Sequence, residues 1–295
     1  MLMDRAKWPV LDRVLEDRLA ELPPGNRHNL LRYTSSLHRS WRAVLQMLQL
    51  PTEWSVLDVG CGYGILGFEL AGQASMRVHG VDIEEDLVED AKRIAEDLED
   101  LGYFQPGSQV TFEVGDAMGL PVADHAYDFT VVRELLQFLP DPGAAVDEFV
   151  RVTVPGGHIC LSDIDDQLYL TYPDPSPALT RLHGVFRQAQ EAQGGDRSIG
   201  RKLSTLLVGS GCEVASVVIV PEAQHLVASG TSFERDLIIA QLEDARDRIV
   251  TTGLISADEF DANLAAVRAE PHVEQFRTNA RVVVIARTPV GDPDR

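Results

Sequence analysis

From residue 55 to about 165, short apolar runs alternate with longer stretches in which apolar positions recur every three or four residues. The runs SVLDVG, MRVHGVDI, QVTFEVGD, YDFTVVRE and GGHICLSDI read as five strands. Between the second and third, EEDLVEDAKRIAEDLEDL sets Leu87, Ala91, Ile94, Leu98 and Leu101 on one helical face, and Gly102 closes it. A further helix starts near Asp141-Pro142 and turns Val146, Phe149 and Val150 inward, before Pro155-Gly156-Gly157 leads into the fifth strand. Strands alternating with one-faced helices predict βαβ units around a parallel sheet.

The pattern loosens after Asp163. DIDDQLYLTYPDPSP reads as a loop. Ser176 then caps a helix with Pro177 at its first position and Leu179, Leu182, Phe186 and Ala189 on its apolar face. GRKLSTLLVGSG predicts a short helix, EVASVVIV a sixth strand and RVVVIARTP a seventh. Residues 230 to 278 read as helical, with Thr231/Glu234 and Ser256/Glu259 as capping boxes. At the other end, MLMDRAKWPVLDRVLEDRLAEL predicts an amphipathic helix with Leu11, Val14, Leu15 and Leu22 on one side. The expected organisation is an open, doubly wound α/β sheet in three parts. Residues 1–50 form a helical extension or lid, 51–165 a Rossmann-like core, and 166–295 the rest of the sheet, with helical insertions at about 166–200 and 228–278.

Charge narrows the partners. A formal net charge of −20 on 295 residues repels nucleic acid and anionic membranes, which are bound through basic clusters. No apolar run approaches the ~18 residues of a membrane span, and the N-terminus lacks a secretory apolar core. Cys61, Cys160 and Cys212 lie far apart without metal or disulfide spacing. The expectation is a cytoplasmic protein that works on a small molecule.

Candidate chemistry concentrates where strands end. The first strand runs into Gly60, Gly62 and Gly64, a turn that lets backbone touch a ligand. Gly62–Gly67 also spells G-x-G-x-x-G, but the match alone is weak. Asp58 would put a carboxylate near a dinucleotide's pyrophosphate, whereas a ligand ammonium would be favoured there. Asp82 ends the second strand about 20 residues on, where an acid grips ribose hydroxyls, and Asp116 ends the third.

In order and spacing, VLDVGCGYG, VDIEEDLVEDAKR, FEVGDAMGLPVADHAYDFTVVRELLQFLPDP and DEFVRVTVPGGHICLSD resemble the class I S-adenosylmethionine-dependent methyltransferases. The likeness is to the small-molecule type similar to quinone-biosynthesis enzymes, over roughly residues 52 to 290. It implies a seven-stranded sheet in the order 3-2-1-4-5-7-6 with the last strand antiparallel. It further implies that the Gly60 and Gly62 backbone and Asp58 hold the methionine part of S-adenosylmethionine, with Arg133 beside it. Asp82 would bind the ribose, Ile83 and Ala117 would flank the adenine, and Asp116 would bond its amino group. The family often has His where Phe138 stands, so any role of that His is absent here.

A sulfonium methyl is already activated, so alignment is the main task, and a base helps only where the acceptor loses a proton. Base candidates are Asp163, Tyr172 and His183, with Asp165, Tyr169 and His225 nearby. His28, Arg32, Tyr33 and His38 belong to the N-terminal segment, of which Tyr33 is the candidate cofactor-lid residue; His158 begins a strand at the wrong end of the sheet. SDIDDQLYLTYPD lacks the glycine and glutamate of a calcium loop, and GGDRSIGRKL misplaces the lysine of a phosphate loop, so no metal site is expected. The expected activity is methyl transfer to O, N or C of a natural-product-like molecule with apolar or aromatic area. A nicotinamide-dependent oxidoreductase and a non-catalytic cofactor-binding regulator are the alternatives. A homo-oligomer through the N-terminal helix is also expected.

Overall fold

The computed structural model describes residues 7–48, 51–226, 233–271 and 274–290. Its five leading strands form at the five apolar runs: β1 (Ser55–Val59), β2 (Arg77–Asp82), β3 (Gln109–Val114), β4 (Tyr127–Arg133) and β5 (Thr153–Ile164). They pair in parallel in the order β3-β2-β1-β4-β5. Three more strands follow: β6 (Leu170–Tyr172), β7 (Glu213–Leu226) and β8 (Gln275–Arg287). β8 runs antiparallel to β5, and β7 runs antiparallel to β8. With β7 and β8 as the expected sixth and seventh strands, the implied order 3-2-1-4-5-7-6 is present.

Two departures matter for the site. The sheet has eight strands, because β6 forms inside the stretch read as a loop. β5 covers β8 only from Arg281 to Arg287, and β6 pairs with the protruding part, Leu170 opposite Thr278 and Tyr172 opposite Phe276. Residues 275–278, read as the end of a helical insertion, are therefore strand. QFRTNA hides its period because neither face is uniformly apolar, and its backbone is satisfied by β7 in an unbroken antiparallel ladder from Ser216 to Leu226.

Helices cover both faces. α1 (Trp8–Glu21), α2 (Asn26–Leu48), α3 (Ile65–Gln73) and α4 (Glu85–Asp100) bring Leu11, Leu31, Trp41, Phe68 and Ile94 into the core. α5 (Pro142–Val152) and α7 (Leu203–Gly209) bury Val146, Phe149 and Leu207. α4 ends at Asp100, so Leu101 lies past the inward face and is exposed. α6 (Pro177–Ala192), α8 (Phe233–Thr251) and α9 (Ala257–Ala269) pack on one another through Leu182, Val185, Leu242, Ile249 and Phe260. Ser176 accepts the Leu179 N–H and Ser256 the Glu259 N–H, both at 3.1 Å, as N-caps. The Thr231/Glu234 box lies outside the described residues.

The apolar face of α1 is buried within the chain, since Leu11, Val14, Leu15 and Leu22 are each less than a tenth exposed. Buried Asp90 on α4 takes both Arg18 and Arg27, and Arg42 on α2 bridges Glu69 on α3 at 2.7 Å. These pairs clamp the N-terminal helices beside the glycine turn.

Candidate active site

The turn after β1 is a run of left-handed glycines: Gly60, Gly62 and Gly64 have φ of +71°, +53° and +72°. The Gly60 and Cys61 N–H groups both donate to the Val81 carbonyl, at 2.8 and 3.1 Å, tying the turn to β2. A Cβ at Gly64 would lie 2.5 Å from the Phe112 ring, whereas one at Gly62 would meet nothing within 4 Å. Gly64 is thus a packing requirement, and Gly62 faces open space. Asp82, at the end of β2, accepts the Gly62 N–H at 2.7 Å through Oδ2 and the Glu84 N–H at 3.0 Å through Oδ1. Each oxygen keeps a lone pair for a further donor. Ile83, next along, is 64% exposed at the rim. Asp116 is exposed and accepts the Met118 N–H at 2.9 Å, while Ala117 is buried beneath it.

Asp58 is 3% exposed, and its Oδ2 has no hydrogen-bond partner among the described residues. Burial, with Asp82 adding to it and Arg133 opposing, pushes its carboxyl up to about 7. Arg133, at the end of β4, is also half-finished: its Nη1 is buried without a partner, and its guanidinium sits 5.6 Å from the centre of the Trp41 ring. Burial drives its pKa down although Asp58 supports the charge. A buried acid and a buried base, each with an unmet polar atom beside bare backbone, fit a zwitterion: ammonium to Asp58, carboxylate to Arg133. That is the methionine end of S-adenosylmethionine, so the residues present fit the implied cofactor.

Beyond Arg133 the chain enters a polar knot. Glu134 has φ of +57°, a strained value outside glycine. Its carboxylate takes Arg281 of β8 at 2.5 Å. Arg281 is 4% exposed; it also reaches Glu222 of β7 at 3.3 Å and donates to the Tyr33 hydroxyl at 3.3 Å. Burial, then Glu134, lifts the Tyr33 phenol to about 12, so it stays protonated. The knot joins α2, β4, β7 and β8 at the floor of a cavity of about 420 Å³. The charge of Arg133 is supported by Asp58 and Glu134 and opposed by Arg281.

The cavity has two kinds of wall. Phe186, Leu237, Ile238 and Leu242 from α6 and α8 are apolar. Arg277, Asn279 and Arg281, alternate residues of β8, also line it, with Glu222 of β7 in register with Asn279. His183 of α6 lines the cavity without an internal hydrogen-bond partner among the described residues. Burial, then Arg197, with Arg277 adding, lowers its pKa to about 4, against a smaller opposing pull from Asp166. The imidazole is neutral at neutral pH.

Among the sequence candidates, Tyr33, Tyr169 and His183 meet at this cavity. Asp58, Gly60, Gly62, Asp82, Ile83, Asp116, Ala117 and Arg133 lie along one sheet edge, at the ends of β1 to β4. Two catalytic candidates lie away from this cavity. Tyr172 is 77% exposed on β6 and does not line the cavity. Asp163 is 1% exposed and caps backbone, accepting the Gln137 N–H at 3.1 Å and the Ile164 N–H at 2.8 Å. Burial and Glu134 push its carboxyl up to about 8. Asp165 is held by Arg201 through both oxygens at 2.5 Å. His225 is exposed, His28 is half-buried on α2, and His158 stacks on Trp54 at 5.4 Å; the side chain of His38 lies outside the described residues. Sequence reasoning missed Glu134, Arg197, Glu222, Arg277 and Arg281. The only signal for the β8 pair was alternation along RTNAR.

Comparison with known proteins is consistent with this geometry. Residues 52–197 match the family described as "Methyltransferase domain". The chain is 28% identical to the O-methyltransferase resE of Aspergillus sclerotiorum over 60% of its own length and 61% of the relative's. It is 33% identical to the 27-O-demethylrifamycin SV methyltransferase of Amycolatopsis mediterranei over 44% of each. The chain thus spans about three fifths or less of these curated relatives. Among solved structures, the [4+2]-cyclase SpnF shares the fold at a TM-score of 0.52 and 19% identity, covering 99% of this chain and 98% of that one. No helix among the described residues is long and apolar enough to cross a membrane. Glycine turn, strand-end acids and matched family together identify residues 52–197 as a domain of the class I S-adenosylmethionine-dependent methyltransferase family.

Proposed function

We propose that this chain transfers a methyl group from S-adenosylmethionine to an oxygen of a small, partly apolar acceptor held in the cavity under α6 and α8. The observation that carries the reading is the pair of unmet buried groups, Asp58 and Arg133, beside the bare backbone at Gly62. An acid at that point disfavours a dinucleotide's pyrophosphate and favours a ligand ammonium. The names of the O-methyltransferase relatives support oxygen as the acceptor atom.

In this reading the Gly60–Gly62 backbone, Asp58 and Arg133 grip the methionine end, Asp82 the ribose, and Ile83, Asp116 and Ala117 the adenine. The bound cofactor supplies a methyl group already activated on a sulfonium. The protein's own contribution is alignment, which can account for about 7–11 kcal/mol of barrier lowering. Tyr33, held by Arg281 and kept protonated, offers an O–H at the cavity floor. His183, neutral and without an internal partner, hydrogen-bonds the acceptor's oxygen; a pKa near 4 makes it an orienting group rather than a proton store. The buried free thiols at Cys61, Cys160 and Cys212 support a reducing, cytoplasmic setting.

Calorimetric titration with S-adenosylhomocysteine and, in parallel, with NAD(H) tests the assignment. Binding of S-adenosylhomocysteine alone is expected, and binding of NAD(H) alone would overturn the reading in favour of an oxidoreductase. Labelled cofactor that yields no methylated metabolite from a cell extract would favour a regulatory protein.

A further inference from the structure

Glycines inside the helices of this chain answer to different needs. In α3, Gly67 and Gly72 are required by packing: a Cβ would lie 2.9 Å from Val78 at the first and 2.6 Å from the Tyr103 ring at the second. Gly184, midway along α6, has no such reason. A Cβ there would meet nothing within 4 Å, and the backbone is ordinary helix that any residue adopts. Alanine would hold the helix better, so this glycine needs a reason outside the helix. Its position supplies one. Thr180, His183, Gly184 and Arg187 all line the cavity, and their spacing of i, i+3, i+4 and i+7 makes them one face of α6. The opposite face carries Leu182, Val185 and Ala189 into the core shared with α8 and α9. Gly184 therefore leaves a notch of bare helix backbone in the cavity wall, between neighbours that carry side chains. Leu237, Ile238 and Leu242 of α8 add apolar surface to the same cavity, whose volume of about 420 Å³ is enough to enclose a ring-bearing molecule.

We propose that Gly184 sets the size of the acceptor: the notch admits the edge of a flat, apolar body of about two fused rings, which a side chain at 184 would exclude. This rests on the reading of the cavity as the acceptor site and deepens it. A flat ring over bare backbone gains close dispersion contacts that a Cβ would hold off. A hydroxyl on that ring lies toward His183, the next residue on the same face, whose imidazole has no internal hydrogen-bond partner among the described residues. In a closed apolar site a single methylene changes selectivity about 10–200-fold, so the methyl of alanine is already a strong probe of the notch.

The test uses the full chain saturated with S-adenosylhomocysteine, as wild type, Gly184→Ala and Gly184→Val, titrated calorimetrically with 2-naphthol and with phenol. The wild-type chain is expected to bind 2-naphthol about 10-fold or more tighter than phenol. Gly184→Ala should raise the thermal midpoint by about 1–3 °C, as alanine does for an unforced helix glycine, and still weaken 2-naphthol about 10-fold. Gly184→Val should weaken 2-naphthol about 100-fold and leave phenol within about threefold, reversing the preference. Affinity for S-adenosylhomocysteine should stay within about twofold in both variants. A more stable helix that loses the larger ring is an outcome a purely structural glycine does not give. The proposal is overturned if 2-naphthol does not bind the wild-type chain at millimolar concentration, if both variants bind it as tightly as wild type, if they weaken 2-naphthol and phenol alike, or if Gly184→Ala lowers the midpoint. Failure of S-adenosylhomocysteine itself to bind the wild-type chain would instead sink the methyl-transfer reading.

Discussion

The glycine rim and the cavity under α6 and α8 are built on opposite plans. At the rim, each candidate group is a strand-end residue or the bare backbone of one turn, so one stretch of chain specifies each position. The cavity takes one residue from α2, others from β7, β8, α6 and α8, and the rest from the segment between β5 and α6 and from Arg197 after α6, and Arg277, Asn279 and Glu222 reach it because β7 and β8 run on past β5. The rim is short-range and rigid; the cavity is long-range and held by buried charge. A family can therefore keep its cofactor site while the acceptor site changes with the helices and strand extensions that frame it.

The largest expected effect falls at the cavity floor. Arg281→Met strands Glu134 and Glu222 in a buried knot and should cost about 3–5 kcal/mol in chemical denaturation; a loss below about 1 kcal/mol would mean the knot is not holding the strands together. Gly64→Ala comes next. It combines a left-handed backbone with a clash on Phe112 and should cost about 2–4 kcal/mol, whereas Gly62→Ala, with open space around it, should lose only the smaller backbone share. At the rim, Asp82→Ala should weaken S-adenosylhomocysteine about 10–100-fold by calorimetry, because it removes a charged acceptor from both the ribose and the Gly62 amide.

A smaller effect separates the regions by proton count. Asp58 has a carboxyl raised to about 7, so below that pH the free protein holds a proton there. A ligand ammonium lowers that pKa, and binding must release the proton. Release should approach one proton per ligand near about pH 6, vanish above about pH 8 and disappear in Asp58→Asn, as read by calorimetry in buffers of different ionisation enthalpy. The smallest changes belong to the cavity. His183→Gln should lower turnover about 10-fold with cofactor affinity unchanged, and exposed Tyr172→Phe should change neither by more than about twofold.

The contrast also explains what could be read beforehand. That Asp58, Gly60, Gly62, Asp82 and Arg133 share one edge was legible because the end of an apolar strand marks the carboxyl edge of a sheet. The face of α4 was legible because its apolar spacing is local, although Leu101 fell one residue past the end. β6 was missed, since three residues between prolines carry no periodic signal and pair only because β8 protrudes. Asp163 looked like a ligand-side acid until the fold turned it onto the Gln137 and Ile164 amides.

The sequence by itself determined the five leading strands and the residues along their carboxyl edge, because strand period, glycine backbone freedom and strand-end acids are properties of neighbouring residues, while the order of the sheet came from the family resemblance. Only the tertiary structure decided the cavity under α6 and α8, which acids are spent on capping, and which arginines meet. Those outcomes depend on burial and on partners as much as 248 positions apart, as with Tyr33 and Arg281. No local pattern encodes such a distance.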